Sequence, residues 1–546
     1  MLDLQSYLRG KGRNVPLKKG RLDLTSYMLG KAASGGIQEV SGTLPLTVRS
    51  RASQILKNYR IYGTESGAGV ETENGYKLPL KVTSNGTTTD YPVYIGDSQL
   101  MAEEYVDYAE QKIYKLVDGV LTPTDPPVPL PDIALPQGTV TIDTEEEFKY
   151  HSTIKGRINP VHYAYSINAD TAEITYLADN KNFTPAAMGS TTFDYGSWGN
   201  AFFMPRPCML KSNGKVDYYL DPNDYSKKLD GTASDIADPT YDGNVMLEFP
   251  KIYYKFVPTG DDGEGGTFHC SNVKLDDSYE CWCNYDANNN EIDHFYVAAY
   301  NAVILDSKMR SLSGYALTQE NGADTTTGAT EIAAARANNQ NGIDEWYTYL
   351  ISDHQLLTHL ATLMCKHVNH QAKFGRGIDS GSETAKRAYV TGTLNDKGLF
   401  WGDTSTGTQA VKIFGIENFY AYVWKRAAGL IGTSTGYSYK LTHGTKDGST
   451  ATSFNTSGSG YKTIARTKPA SGYVTTMHYE ANGFWIPATT GTNRYAVYHW
   501  TGNGYVLVGG CSASESTCGS WYVTLYSGVS KSDWSFSSAF SCKPKA

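Results

Sequence analysis

Four groups of residues in this chain have types and spacings that could do chemistry. Oxygen donors crowd the run Asp217-Tyr218-Tyr219-Leu220-Asp221-Pro222-Asn223-Asp224, where a short loop can hold Ca²⁺, although runs of this kind more often build plain turns. His354, His359, His367 and His370 lie close together, and His367 with His370 would share a helical face able to ligate a metal. No carboxylate or cysteine pattern accompanies them, so solvated histidines are the expectation. Asp221, Asp224 and Glu417 offer the carboxylates that glycoside hydrolysis uses in pairs, but nothing in the sequence brings them to one cleft. The fourth group is not catalytic. From Gly509-Gly510-Cys511-Ser512 through Trp521, Tyr522, Tyr526, Trp534, Phe536 and Phe540 to Cys542-Lys543-Pro544, small polar residues alternate with spaced aromatics and almost no charge. Aromatics give large contact area at little rotamer cost, and Ser, Gly and Thr supply adaptable hydrogen bonds, which is the composition of binding loops. Two readings stay open: a binding face, or a buried terminal hairpin whose Trp and Tyr are core.

The elements that must position these groups are mostly strands. The chain has 546 residues, 40% of them hydrophobic, which is more than one core usually organises, so two or more domains are expected. Charged residues are only 19%, and the polar bulk comes from 54 Gly and 41 Tyr together with Ser, Thr and Asn, a mixture suited to strands, turns and long loops. A net charge of −8 disfavours non-specific nucleic-acid or anionic-membrane binding. No apolar run is long enough for a membrane span, and the start of the chain lacks the pattern of a signal peptide. Eight cysteines (208, 270, 281, 283, 365, 511, 518 and 542) are sparse for this length and are expected to stay reduced.

In chain order, Leu2-Asp3-Leu4-Gln5-Ser6-Tyr7 recurs as Leu22-Asp23-Leu24-Thr25-Ser26-Tyr27, a repeat too short to bury a core and suited to an attachment peptide over residues 1–36. Residues 37–122 read as a small β domain, with Tyr76–Val82 alternating and Ser84-Asn85-Gly86-Thr87 as a turn. Six prolines within 123–138 suggest a stiff extended linker, leaving 139–546 as the main domain. There, Phe249–Phe256 and Phe295–Tyr300 read as core strands. Trp346, Leu350, Leu357, Leu360, Met364 and Val368 trace one stripe of a long helix over 345–368. The expected class is α+β, mostly β, with long loops and few helices.

Gly415-Ile416-Glu417-Asn418-Phe419, with Val423-Trp424, then Gly509-Gly510 and the closing Ser541-Cys542-Lys543-Pro544, resembles the C-type-lectin-like fold shared by formylglycine-generating enzymes and retroelement-diversified phage receptor-binding proteins. Where many members read Gly-Asn-Val-Trp-Glu-Trp, this chain has Ala421-Tyr422-Val423-Trp424-Lys425-Arg426. The Ser-Tyr-x-x-Gly-Lys repeats, Glu104-Tyr105-Val106-Asp107-Tyr108 and the proline-rich linker resemble tail proteins of phages and prophages of Gram-positive bacteria. The first resemblance implies a C-terminal head, commonly trimeric, whose framework would be Trp424, Gly509, Gly510, Gly519, Trp521, Tyr522, Val523, Trp534 and Cys542. Its variable, ligand-binding positions would be Tyr498, His499, Cys511, Ser514, Thr524, Tyr526, Ser527, Ser530, Ser532, Phe536 and Phe540. Exposed loop side chains tolerate such variation while buried residues hold the backbone.

Together these readings lead to the expectation of a non-enzymatic receptor-binding protein at the tip of a virion tail, made in the bacterial cytoplasm. It would meet a host surface protein or glycan through a variable face and other tail proteins through its N-terminus, with no catalytic residue, metal or cofactor. The alternatives are a structural baseplate subunit whose aromatics bury against a neighbour, and a copper oxidase. The formylglycine-generating likeness puts Cys511 and Cys518 in the stretch of the metal-binding cysteine pair, and two thiolates can hold Cu(I), but their Cys-x6-Cys spacing lacks the Arg-rich surroundings of those enzymes.

Overall fold

The computed structural model describes residues 160–260, 262–316, 326–340, 344–380, 389–464 and 466–545 in full, and the backbone of the strands between 60 and 158. The attachment repeat of 1–36 lies outside the described residues. Strand accounts for 34% of the chain and helix for 9%, so the mostly β expectation holds. Among the described residues no helix is long and apolar enough to cross a membrane. The chain divides into two compact units, Met1–Val161 and His162–Ala546.

In the first unit, Gly75–Ser84 and Thr87–Gly96 pair antiparallel from Ser84↔Thr87 to Gly75↔Gly96, the register that Asn85-Gly86 favours, and Arg60–Tyr62 adds a third strand. A second sheet orders Arg157–Ile158, Thr153–Ile154, Glu104–Asp107, Lys112–Val117 and Val120–Thr124. Val120–Thr124 lies at the edge of this sheet, where the missing N–H of Pro123 is tolerated.

The second unit is built around two larger sheets and one long buried helix, with smaller elements beside them. The seven-stranded sheet runs Asp224–Lys228, Val216–Asp221, Arg206–Leu210, Asn244–Pro250, His294–Ala298, Phe540–Cys542, Trp346–Thr348. The C-terminal strand is therefore interior, with Cys542 facing both Tyr296 and Trp346. The second large sheet centres on Trp424–Gly432, flanked by Tyr437–Tyr439 and Tyr505–Val508, with Phe536–Ser538 joined in parallel. The strand expected over Phe295–Tyr300 is present as His294–Ala298, whereas the single strand expected over Phe249–Phe256 is divided between the end of Asn244–Pro250 and the start of Tyr253–Thr259, which belong to different sheets.

Three helices are present among the described residues: α1 (Gly328–Arg336), α2 (Ile351–Cys365) and α3 (Gln371–Phe374). Helix α2 is shorter than expected. Trp346-Tyr347-Thr348, aromatic and β-branched, pairs instead with Phe540–Cys542, and Lys366 ends the helix in the left-handed region at φ 53°. The single apolar stripe also understates its burial, because every residue of α2 is buried. Most of its polar side chains have buried partners, with Ser352 Oγ an exception. Thr358 and Thr362 each donate to the carbonyl four residues earlier, and Gln355 Nε2 donates to Trp485 O at 2.6 Å while its Oε1 accepts from Trp485 N.

Candidate binding ridge

Strand pairing creates the most distinctive surface of the second unit. Gly472–Tyr479 pairs antiparallel with Tyr498–His499, which sets Tyr473 directly opposite Tyr498 with ring centroids 5.3 Å apart in an edge-to-face arrangement. Alternation turns His499 to the other side, where it is fully buried with Nδ1 3.0 Å from Val523 O. Trp500 follows the strand and lies 4.9 Å from the Tyr498 ring and 6.3 Å from that of Tyr526. Tyr473, Trp500 and Tyr526 are 44%, 46% and 72% exposed and Tyr498 is half-buried, so four neighbouring rings form one ridge open to solvent.

The ridge stands on two loops zipped together by backbone hydrogen bonds. Leu525 N and Thr524 Oγ1 both donate to Trp500 O at 3.2 Å, Gly504 N donates to Leu525 O at 2.7 Å, and Tyr505 N donates to Ser527 O at 2.9 Å. So close an approach requires glycine: a Cβ on Gly502 would sit 2.4 Å from Leu525 O. Lys468 Nζ holds the loop from beneath, donating to Gly502 O at 2.5 Å and also to Thr433 O and Asn503 Oδ1. The rings are thus held in place before any ligand arrives.

The eleven expected variable positions separate by burial. Tyr498 and Tyr526 belong to the ridge, and Ser514, Ser527, Ser530 and Ser532 keep at least partial exposure. His499, Cys511, Thr524, Phe536 and Phe540 are buried: Phe536 lies beneath the Arg426 guanidinium, and Phe540 packs on Trp346 at 5.6 Å. They therefore present no side chain to an approaching ligand. Trp500 and Tyr473, absent from the expected set, complete the ridge. Trp500 adjoins the strand that carries Tyr498, but Tyr473 becomes its neighbour only through the register.

Most of the terminal framework is core. Trp521 is fully buried, 4.6 Å from Trp485, and donates from Nε1 to Thr362 Oγ1 at 3.2 Å, while Trp424 packs edge-on to Tyr522 at 4.6 Å. Gly509 and Gly510 adopt φ of 90° and 82°, and a Cβ on Gly510 would come within 2.9 Å of Cys518 Sγ. Trp534 is only half-buried. The terminal stretch is thus largely the buried alternative, with Tyr526 as its exposed exception.

The other chemical candidates have structural uses. The expectation of solvated histidines is corrected for three of the four: His354, His359 and His370 are almost wholly buried, and desolvation pushes each down to about 3, so they are neutral. His359 bridges Tyr165 Oη at 2.7 Å and Gly483 O at 2.9 Å, and His354 Nε2 donates to Ser520 O at 2.7 Å. Both nitrogens of His370 meet hydroxyls, those of Thr362 and Ser520, while exposed His367 accepts from Asn369 N. Asp221 and Asp224 accept from Asn223 N and Ser226 N in a hairpin turn, and Asp224 also pairs with Lys227. Glu417 is buried and accepts from Tyr389 Oη, Gly392 N and Leu394 N, with desolvation raising its pKa, so it faces no cleft shared with those aspartates. All eight cysteines are buried thiols, and Cys518 Sγ contacts Cys511 O at 3.1 Å. Glu280, Cys281 and Glu291 lie close enough to share a cation, but Tyr285 and Lys446 already serve Glu280, and Tyr253 and Lys251 serve Glu291.

No protein-family model matches this chain, and no curated protein matches it either.

Proposed function

We propose that this protein is a phage tail receptor-binding protein, in which an N-terminal part docks on the tail and a C-type-lectin-like C-terminal unit presents the Tyr473–Tyr498–Trp500–Tyr526 ridge to the host cell. The observation that carries this reading is the ridge itself: large rings left in water on rigid, glycine-zipped loops. Exposed contiguous aromatics of this kind mark interaction surfaces, because burying them elsewhere would have contributed to stability. Recognition then rests on stacking and hydrogen bonding, without catalysis, and the exposed members of the variable set lie on or beside the loops that carry the rings. Diversification would act on those positions while the buried ones hold the fold.

The baseplate reading uses the same exposed rings, covered by a neighbouring subunit, and one experiment separates the two. Fluorescently labelled full-length chain is incubated with a panel of Gram-positive cells, beside Trp500→Ala and Tyr526→Ala variants. Saturable cell binding by the wild type, reduced at least tenfold in each variant with an unchanged melting temperature, is the expected result. Absence of cell binding, with the ridge protected from labelling in the assembled tail, would favour the structural subunit.

A further inference from the structure

Residues 471–476, 495–510 and 518–530, which supply the ridge and its surroundings, contain no Asp, Glu, Lys or Arg. Of the cations that border these segments, Lys468 is turned into the loop and held by Gly502 O, Thr433 O and Asn503 Oδ1, Arg494 donates to Ala169 O, and Lys531 is exposed just beyond Ser530. The ring-bearing segments themselves therefore supply no ionic handle for a charged ligand. The size of the ridge narrows the partner further. Four rings of about 150–250 Å² each, at exposures between partial and 72%, offer roughly 400 Å² of contact, about half of what each partner contributes to a standard protein–protein interface. The rim is hydroxyl and amide: Ser471, Thr501, Asn503 and Ser527 flank the rings. Successive rings are inclined by 79°, 46° and 56°, so the ridge offers both faces and edges along a line rather than one flat slab.

Resting on the receptor-binding reading above, we infer that the ridge takes an uncharged oligosaccharide segment, whose C–H faces stack on Tyr498, Trp500 and Tyr526 while its hydroxyls bond to the Ser, Thr and Asn rim. A saccharide chain is narrow, presents alternating apolar faces and hydroxyl edges, and needs no counter-charge. A protein partner would need a wider apolar patch than these rings supply.

The test uses the full chain in two arms. In the first, intrinsic tryptophan fluorescence is titrated with neutral tetrasaccharides of glucose, galactose and N-acetylglucosamine, and with the acidic polymer polygalacturonate. At least one neutral sugar should shift the signal saturably, with the shift lost and affinity reduced at least tenfold in Trp500→Ala, and polygalacturonate should compete poorly. In the second, cells that bind the protein are treated with periodate, which destroys sugar diols, or with protease. Loss of binding after periodate and retention after protease is the expected result. Binding that survives periodate and is lost to protease would overturn the saccharide while leaving the receptor-binding reading intact. Failure of the whole neutral panel, with cell binding unchanged in Trp500→Ala, would overturn the ridge as the saccharide site.

Discussion

Lys543 shows how single residues hold this sparsely charged protein together. Its ammonium donates to Asp353 Oδ1 at 2.5 Å and to Cys283 O at 2.8 Å and lies 4.2 Å from the Phe295 ring centroid, while Ser541 Oγ donates to Asp353 Oδ2 at 2.7 Å. Both ends of the pair are almost wholly buried. Lys543→Met should therefore destabilise the protein by about 3–5 kcal/mol, because it leaves a buried carboxylate without its cation. The double variant Lys543→Met/Asp353→Asn should recover a substantial part of that loss, as read from urea unfolding midpoints. The neutral histidines make a second expectation at this scale. His354, His359 and His370 have folded pKa values near 3, below the unfolded value of 6.5, so the unfolded chain binds more protons between those pH values. Their contribution is complete above pH 6.5 and is lost as pH falls toward 3, at about 1.4 kcal/mol per pH unit for each. Urea midpoints measured from pH 7 to pH 4 should fall steadily below 6.5, and a flat profile there would show that these rings charge in place.

Among the elements, α2 is a helix whose polar residues do the work usually given to a solvent-facing side. It carries no side-chain N-cap, and only Tyr349 and Leu350 separate it from the 346–348 strand, so its stability comes from what surrounds it. Gln355 is the clearest case, since its side-chain amide replaces a strand partner for the backbone of Trp485. Gln355→Leu should cost about 1–3 kcal/mol despite being more apolar, because it leaves a buried carbonyl and N–H without partners. A melting temperature equal to or above that of the wild type would refute this. The zipped loops under the ridge are a second example of element-level design. Glycine at 502 lets one loop lie against the other, which fixes ring spacing through backbone rather than through side-chain packing.

For the whole molecule, the position of the C-terminal strand dominates. Phe540–Cys542 lies between His294–Ala298 and Trp346–Thr348, so it joins segments distant in sequence and completes the seven-stranded sheet late in synthesis. Truncation after Ala539 should abolish cooperative unfolding and near-ultraviolet circular dichroism, since it opens the middle of a sheet and removes the Lys543–Asp353 pair at once. By contrast, residues 162–546 produced alone should unfold in one cooperative transition, because they form a compact unit by themselves.

Local chemistry was legible before any tertiary contact was known. Period-two alternation and an Asn-Gly turn located the 75–96 hairpin, an apolar run located the 294–298 strand, and three- to four-residue spacing located the core of α2, whereas the apolar run 249–256 spans the break between two strands. The uncharged, Tyr- and Ser-rich character of the C-terminal loops was equally plain. Exposure was not, because periodicity separates the two faces of a strand without saying which face other elements will cover. Phe540 and His499 are as suited by type to a binding face as Tyr526 and Trp500, yet one pair is enclosed and the other stands in water. Tyr473 joined Tyr498 only through the pairing register, and Trp346 left the helix only because a strand almost two hundred residues later takes it as a partner. The sequence by itself determined the kinds of element and the chemistry available to them. Tertiary structure decided which aromatic rings became core and which became surface, because burial is set by non-local partners that no local pattern encodes.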